Sequence, residues 1–270
     1  MILEDLHTHT TYCDGKDTCE DMVKEAIKKG LLTIGFSGHV YLKHGEDYCM
    51  SRENTKKYYE EVNSLKDKYK EQITVLCGIE DDLYSVEDTS GFDYVIGSVH
   101  DIKVGNEFVT IDYDPETFEK GVKKHFDGDF YTACEKYFES LPECMRQKKP
   151  DIIGHFDLIS KFNEKCNFFD ENHPRYVKAW QKALDELLTF GIPFEINTGA
   201  MSRQWRTGPY PAKPMLEYIA KHGGKIIFNG DTHAKENLCY KHEKLEQIAK
   251  DAGFKSRCYA YDIIKKTEAV

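Results

Sequence analysis

Six short segments concentrate groups that can hold a metal: His7-Thr8-His9, Gly38-His39, Gly78-Ile79-Glu80, Val99-His100, Gly154-His155 and Asp231-Thr232-His233. With Asp14, just after the first of them, they supply six imidazoles and three carboxylates. Mixed nitrogen and oxygen donors suit Zn²⁺, Mn²⁺ or Fe²⁺ better than Ca²⁺ or Mg²⁺, which favour all-oxygen shells. One tetrahedral site uses three or four ligands, so a set of this size is a multi-metal set. Glu80, with two oxygens, is suited to bridge two ions.

Each piece alone is ordinary. Asp14-Gly15 reads as a turn, and Glu80 stands in an acidic run with Asp81 and Asp82. The set is informative because of where its members fall. The other histidines (His44, His125, His173, His222 and His242) lie mostly in segments read as loops or helices. The nine candidates lie at the ends of segments read as strands.

Short β-rich runs occur near residues 2–6, 33–37, 73–79, 94–97, 152–154, 193–197 and 225–228, with a further β-rich piece at 257–263 that would close or edge the sheet. Helical spacing fills the gaps. Thr18 with Asp21 reads as an N-cap ahead of the stripe Met22, Val23, Ala26 and Ile27, which Gly30 ends. Tyr58, Val62, Leu65 and Tyr69 share one helix face, as do Val177, Leu184, Leu187 and Leu188; Pro214 opens a helix carrying Met215, Leu216, Ile219 and Ala220. Strand alternating with helix predicts parallel strands joined by right-handed crossovers. The expectation is an α/β fold: a distorted seven-stranded (β/α)7, TIM-like barrel with its metal site at the carboxyl ends of the strands. Within a strand, residues i and i+2 point the same way, so His7 with His9, and Asp231 with His233, can face one barrel mouth. No Gly-x-Gly-x-x-Gly turn follows the first strand, which weakens a dinucleotide-binding alternative. A connection of roughly 50 residues before His155 is too long for a bare loop. Its aromatics (Phe118, Phe126, Phe130, Tyr131, Tyr137 and Phe138) predict a helical insertion around 101–150 within a single domain spanning 1–270.

Composition narrows the function. The net charge of −10 gives a poor field for nucleic acid, so a small-molecule substrate is expected. No apolar run approaches the ~18 residues of a membrane helix. The acidic start (Glu4, Asp5) lacks a signal-peptide pattern, and nine scattered cysteines without a Cys-x-x-Cys pair suit a reducing, cytoplasmic setting. Oligomeric state is not legible.

These motifs, together with Asp93-Tyr94-Val95-Ile96-Gly97-Ser98-Val99-His100 and Glu195-Ile196-Asn197-Thr198, resemble the PHP (polymerase and histidinol phosphatase) family essentially end to end. The likeness is to its histidinol-phosphate phosphatase branch. The second loop departs from the family pattern, having Gly38 before His39 and Val40-Tyr41 after it. The resemblance implies three divalent transition-metal ions: His7, His9, Glu80 and Asp231 holding one, Glu80, His100 and His155 a second, and Asp14, His39 and His233 a third. It also implies hydrolysis of L-histidinol phosphate to L-histidinol and inorganic phosphate in histidine biosynthesis. A phosphoesterase acting on nucleotides or other small phosphate esters is the alternative.

Such a centre would place local positive charge inside an anionic protein, where a phosphate dianion could bind. A hydroxide bridging two ions is the expected nucleophile, with Glu80 at the bridge and Asp231 as the expected proton carrier. Arg203 and Arg206, after the sixth strand, are candidates to fork onto phosphate oxygens. Residues 41–50 supply aromatic and acidic groups that can receive a cationic organic moiety.

Overall fold

A computed structural model describes residues 3–45 and 47–264. The expected first strand begins at Ile2, and the acidic loop includes Glu46; both lie outside the described residues. Three parallel strands, β1 (Glu4–Asp5), β2 (Thr33–Phe36) and β3 (Thr74–Cys77), form one sheet. A second parallel sheet contains β4 (Ile79–Asp82), β5 (Val95–Ser98), β8 (Ile152–Ile153), β9 (Phe194–Asn197) and β10 (Ile226–Asn229), in the order β10-β9-β8-β5-β4. The expected continuous barrel sheet is thus resolved into two ladders, and the third predicted strand is broken at Gly78. Isolated parallel bridges link the sheets at two seams, Thr8 with Thr232 and His39 with Glu80.

Tyr94 explains the break. Its hydroxyl donates to the carbonyls of Leu6 and Phe36, and its ring lies so close to Gly78 that an added Cβ would sit 2.3 Å away. Around it Leu6, Leu76, Ile96, Ile152 and Ile227 form a buried floor, covered by Ala260 and Ile263.

Helices α1 (Cys19–Lys29) and α2 (Arg52–Tyr69) cover β2 and β3. The Thr18 hydroxyl accepts the Asp21 N–H, and Gly30 ends α1 in the left-handed region (φ 76°). Tyr58, Val62, Leu65 and Tyr69 are buried as their spacing predicts. The long connection is partly a correction. It opens with an antiparallel hairpin, β6 (Asp101–Val104) with β7 (Glu107–Thr110), before α3 (Pro115–Phe126) and α4 (Phe130–Lys148). Alternation around Gly105-Asn106 is the hairpin signal; Gly105 takes φ 62°. After β8 come short α5 (Asn163–Cys166) and α6 (Pro174–Leu187), which packs on α4. After β9 come short α7 (Gly199–Ser202) and α8 (Lys213–Lys221), and after β10 come α9 (His242–Ala252) and α10 (Ala260–Ile264).

The expected strand at 257–263 is instead a turn entering α10. The Cys258 N–H reaches the sheet at the Ile226 carbonyl (2.7 Å), while Tyr259 N–H is taken by the Asp262 carboxylate and Ala260 N–H by the Glu4 side chain.

His242, at the start of α9, yields a stability prediction. Burial, aided by nearby Arg257, holds this imidazole down to about 3. The unfolded chain therefore binds the proton first as pH falls, and stability is lost from about pH 6.5 downward. Between pH 7 and 5 the native protein should lose roughly 2 kcal/mol more than His242→Phe. Urea unfolding at both pH values measures this, and equal losses would rule it out.

Candidate metal centre

The segment after β1 runs between two others. Thr8 donates to the Gly35 carbonyl (2.8 Å), while its neighbours meet the Asp231 segment through His9 N–H to Thr232 O (2.8 Å) and Thr232 N–H to His7 O (2.9 Å). Thr8 thus points one way and His7 and His9 the other. Glu80 lies on β4, joined to the end of β2 by its N–H to the Gly38 carbonyl (3.2 Å). His100 follows β5, His155 follows β8, and Asp231 follows β10 with a left-handed φ of 46°.

All nine expected ligands converge. Glu80 Oε2 lies 2.9 Å from His39 Nδ1, 3.2 Å from His7 Nε2 and 3.6 Å from His9 Nε2. Glu80 Oε1 lies 2.9 Å from His155 Nε2 and 3.4 Å from His100 Nε2. Asp231 Oδ1 is 3.3 Å from His9 Nε2 and 3.4 Å from His233 Nδ1. Asp14 Oδ2 is 3.1 Å from His233 Nε2, and its Oδ1 is 3.7 Å from His39 Nε2. Four overlapping groups have ligand atoms within 4.8 Å of one another: His9-Asp14-His39-His233, His7-Glu80-His155, His7-His9-Asp231 and His39-Glu80-His100.

His7 Nε2, His9 Nε2 and Glu80 Oε2 are buried without a hydrogen-bond partner. Unpaired buried polar atoms are costly in a stable fold, so their clustering points to a cation that satisfies them. The residues fit divalent transition metals. Burial alone would raise Glu80 and Asp231, but His39, His7 and His100 hold the first carboxyl well below its usual range, and Arg203 and His7 do the same for the second. Burial, with His233 and His39 beside it, holds His9 down to about 3, a neutral imidazole. Ionised carboxylates and neutral imidazoles are the ligating forms; against the effect of burial, the neighbouring carboxylates raise His7, His39 and His100, so binding a cation would release their protons.

A cavity of about 260 Å³ opens on this cluster. Arg203, Lys161, Tyr48, Asp47, Asp112 and Tyr113 are among its lining residues. The guanidinium of Arg203 donates to Asp231 Oδ2 (2.8 Å). Close packing allows this: a Cβ on Gly199 would sit 2.6 Å from Asp231 Oδ2. Arg206, expected beside it, is not brought to the cavity. It is buried, donates to Asp157 Oδ2 (2.9 Å) and Ser160 Oγ (2.6 Å), and lies 4.7 Å over the Tyr210 ring. The fork expected for phosphate is spent on a buried carboxylate.

Three supporting residues escaped the sequence reading. Glu195 Oε2 lies 2.9 Å from His7 Nδ1 while its Oε1 accepts the His155 N–H (2.6 Å), an arrangement that leaves His7 Nε2 facing the centre. Asp82 does the same for His100, 3.1 Å from its Nδ1. Lys161 is buried at the cavity wall, donating to the Asp112 carbonyl (2.6 Å). A signal existed for the carboxylates: Asp82 stands two residues after Glu80, and Glu195 interrupts an apolar strand. Lys161 offered none.

Residues 5–199 match the PHP domain family. A histidinol-phosphatase from Bacillus subtilis is 26% identical, over 90% of this chain and 98% of its own length. One from Lactococcus lactis is also 26% identical, over 93% and 91%. Among solved structures, the Listeria monocytogenes chain named hisK superposes with a TM-score of 0.78 at 20% identity, covering 89% of this chain and 99% of that one. The histidinol phosphate phosphatase of Lactococcus lactis, crystallised with Zn, L-histidinol and phosphate, gives 0.66 at 21%, covering 94% and 95%.

Proposed function

This chain belongs to the PHP domain family, and we propose that it hydrolyses L-histidinol phosphate to L-histidinol and inorganic phosphate. Two full-length relatives carry the name histidinol-phosphatase. The observation that carries the reading is the cluster of buried, unpartnered donor atoms on His7, His9 and Glu80 beside a cavity that also offers cations.

The finer assignments belong to the same reading. Residues 1–270 form one domain with an insertion around 101–150, and the two ladders with their bridged seams make up a distorted seven-stranded barrel. His7, His9, Glu80 and Asp231 would hold one ion, Glu80, His100 and His155 a second, and Asp14, His39 and His233 a third. When bound, divalent ions of the Zn, Mn or Fe kind neutralise phosphate charge and lower the pKa of water. No described helix is long and apolar enough to cross a membrane, and the nine cysteines are all free thiols, which suits the cytoplasm.

The chain's own residues divide the work. Arg203 and Lys161 present cations to the phosphate oxygens. Water attacks phosphorus in line, the bond to the histidinol oxygen breaks, and that oxygen takes a proton. Asp231, which lines the cavity beside Arg203, carries the proton from the attacking water to the leaving oxygen. Along the cavity wall, Asp47, Asp112, Tyr48 and Tyr113 suit the amine and imidazole of the organic half. The same acidic wall opposes a nucleotide's further phosphates.

A phosphate-release assay on metal-replete protein tests this with histidinol phosphate, nucleotides and simple phosphomonoesters. Histidinol phosphate should have the highest kcat/KM, and a nucleotide that matched it would overturn the assignment. Arg203→Ala should lower kcat/KM by about 10–100-fold, mainly through KM, as expected for losing a charge-assisted contact of roughly 1.5–3 kcal/mol. An unchanged kcat/KM would remove Arg203 from the phosphate site.

A further inference from the structure

Asp5 is fully buried two residues before His7, on the same side of the strand. Its carboxylate accepts four hydrogen bonds. Oδ1 takes the backbone N–H groups of His7 (3.2 Å) and Gly230 (2.9 Å). Oδ2 takes the Thr232 hydroxyl (3.1 Å) and the Cys239 N–H (3.3 Å). Three of these donors belong to the two segments that carry His7 with His9 and Asp231 with His233. Gly230 makes the approach possible, since a Cβ there would lie 2.4 Å from Asp5 Oδ2. Directly after it, Asp231 holds a left-handed conformation that costs energy for a non-glycine residue.

The backbone ladder does little at this seam. β1 and β10 are not partners in either sheet; the two segments share the bridge Thr8–Thr232, and the Leu6 N–H donates to Asn229 Oδ1 (3.1 Å). One carboxylate therefore supplies much of the polar connection between them. We propose that Asp5 is a positioning residue of the metal centre, setting the spacing of His7 and His9 against Asp231 and His233; this rests on the metal-centre reading above.

Asp5 also lies near Cys239 and His242, a trio with atoms close enough to surround an ion. Its oxygens are already engaged by four donors, and the Cys239 thiol points to the Glu4 carbonyl (3.7 Å) and is pushed up by burial. The trio is better explained as a clamp on two strands than as a metal site.

Chelator competition with Zn²⁺ on the full chain, alongside thermal unfolding, tests the proposal. Asp5→Asn keeps the size and one acceptor oxygen but turns an amide NH₂ towards Cys239 N–H. Zinc affinity should fall about 10–100-fold, the usual cost of disturbing a group that orients metal ligands. Leu245→Ala, a cavity in the packing of α9, should lower the melting temperature without that loss. Thr232→Val should weaken zinc binding less than Asp5→Asn, and Thr232→Ser should restore it; this pair decides the matter if Asp5→Asn does not fold. Native zinc affinity in folded Asp5→Asn, or an equal loss in Leu245→Ala, would overturn the proposal and leave the metal centre standing. Cys239→Ala lacking one zinc per chain would overturn it in favour of an ion held by the trio. A wild-type chain that binds no zinc would remove both readings.

Discussion

Glu80→Gln is expected to reduce phosphate release by at least ~10³-fold, equivalent to roughly 4 kcal/mol of barrier, and to lower bound metal sharply. Five imidazoles lie within 3.6 Å of the Glu80 oxygens, which are effectively the hub of the cluster. Glutamine has the same shape, so the packing of β4 survives. It removes the negative charge that all five rings share and places an NH₂ where a lone pair is required. Taking one partner from a buried charged set typically costs about 3–5 kcal/mol. Phosphate release and elemental analysis measure the two effects. Turnover near the native value with full metal content would show that Glu80 is not at the reacting centre.

The second large effect is expected at Asp231. Asparagine tolerates the left-handed φ of 46° at this position, so Asp231→Asn should fold. It would keep the outline of the site but lose the charge paired with Arg203 at 2.8 Å and facing His9 and His233. If Asp231 moves the proton, kcat should drop by about 10²–10⁴-fold, the range for losing a general acid–base. The variant's circular dichroism should match that of wild type. Near-native kcat would remove the assigned role, and the substrate panel would then be re-examined with water as the sole proton donor.

Much of this centre was legible because strand periodicity and glycine punctuation are local signals. His-x-His and Asp-x-His at strand ends can be read without knowing what packs on them, and parallel topology does the rest. The features that escaped depend on distant partners. Arg203 and Arg206 are three residues apart and chemically alike, yet one faces Asp231 and the other Asp157; only the turn after α7 separates their fates. Asp81 and Asp82 read as a solvated acidic run, but both are buried because Lys148 pairs with the first and His100 with the second. The segment 257–263 has strand-like residues, but the Tyr259 and Ala260 N–H groups are taken by the Asp262 and Glu4 carboxylates, so tertiary context overrode its propensity. The hairpin at 101–110 is a different case, since its alternation and Gly-Asn turn were present and an aromatic-rich stretch downstream drew the reading towards helix.

Among the described residues, Tyr94 and the apolar residues packed around it close the floor beneath the ligand cluster. Traffic is therefore one-way in space and last-in, first-out in order. In the proposed pose the phosphoryl end enters ahead of the organic end, so after cleavage the alcohol stands between inorganic phosphate and bulk water and must depart before it.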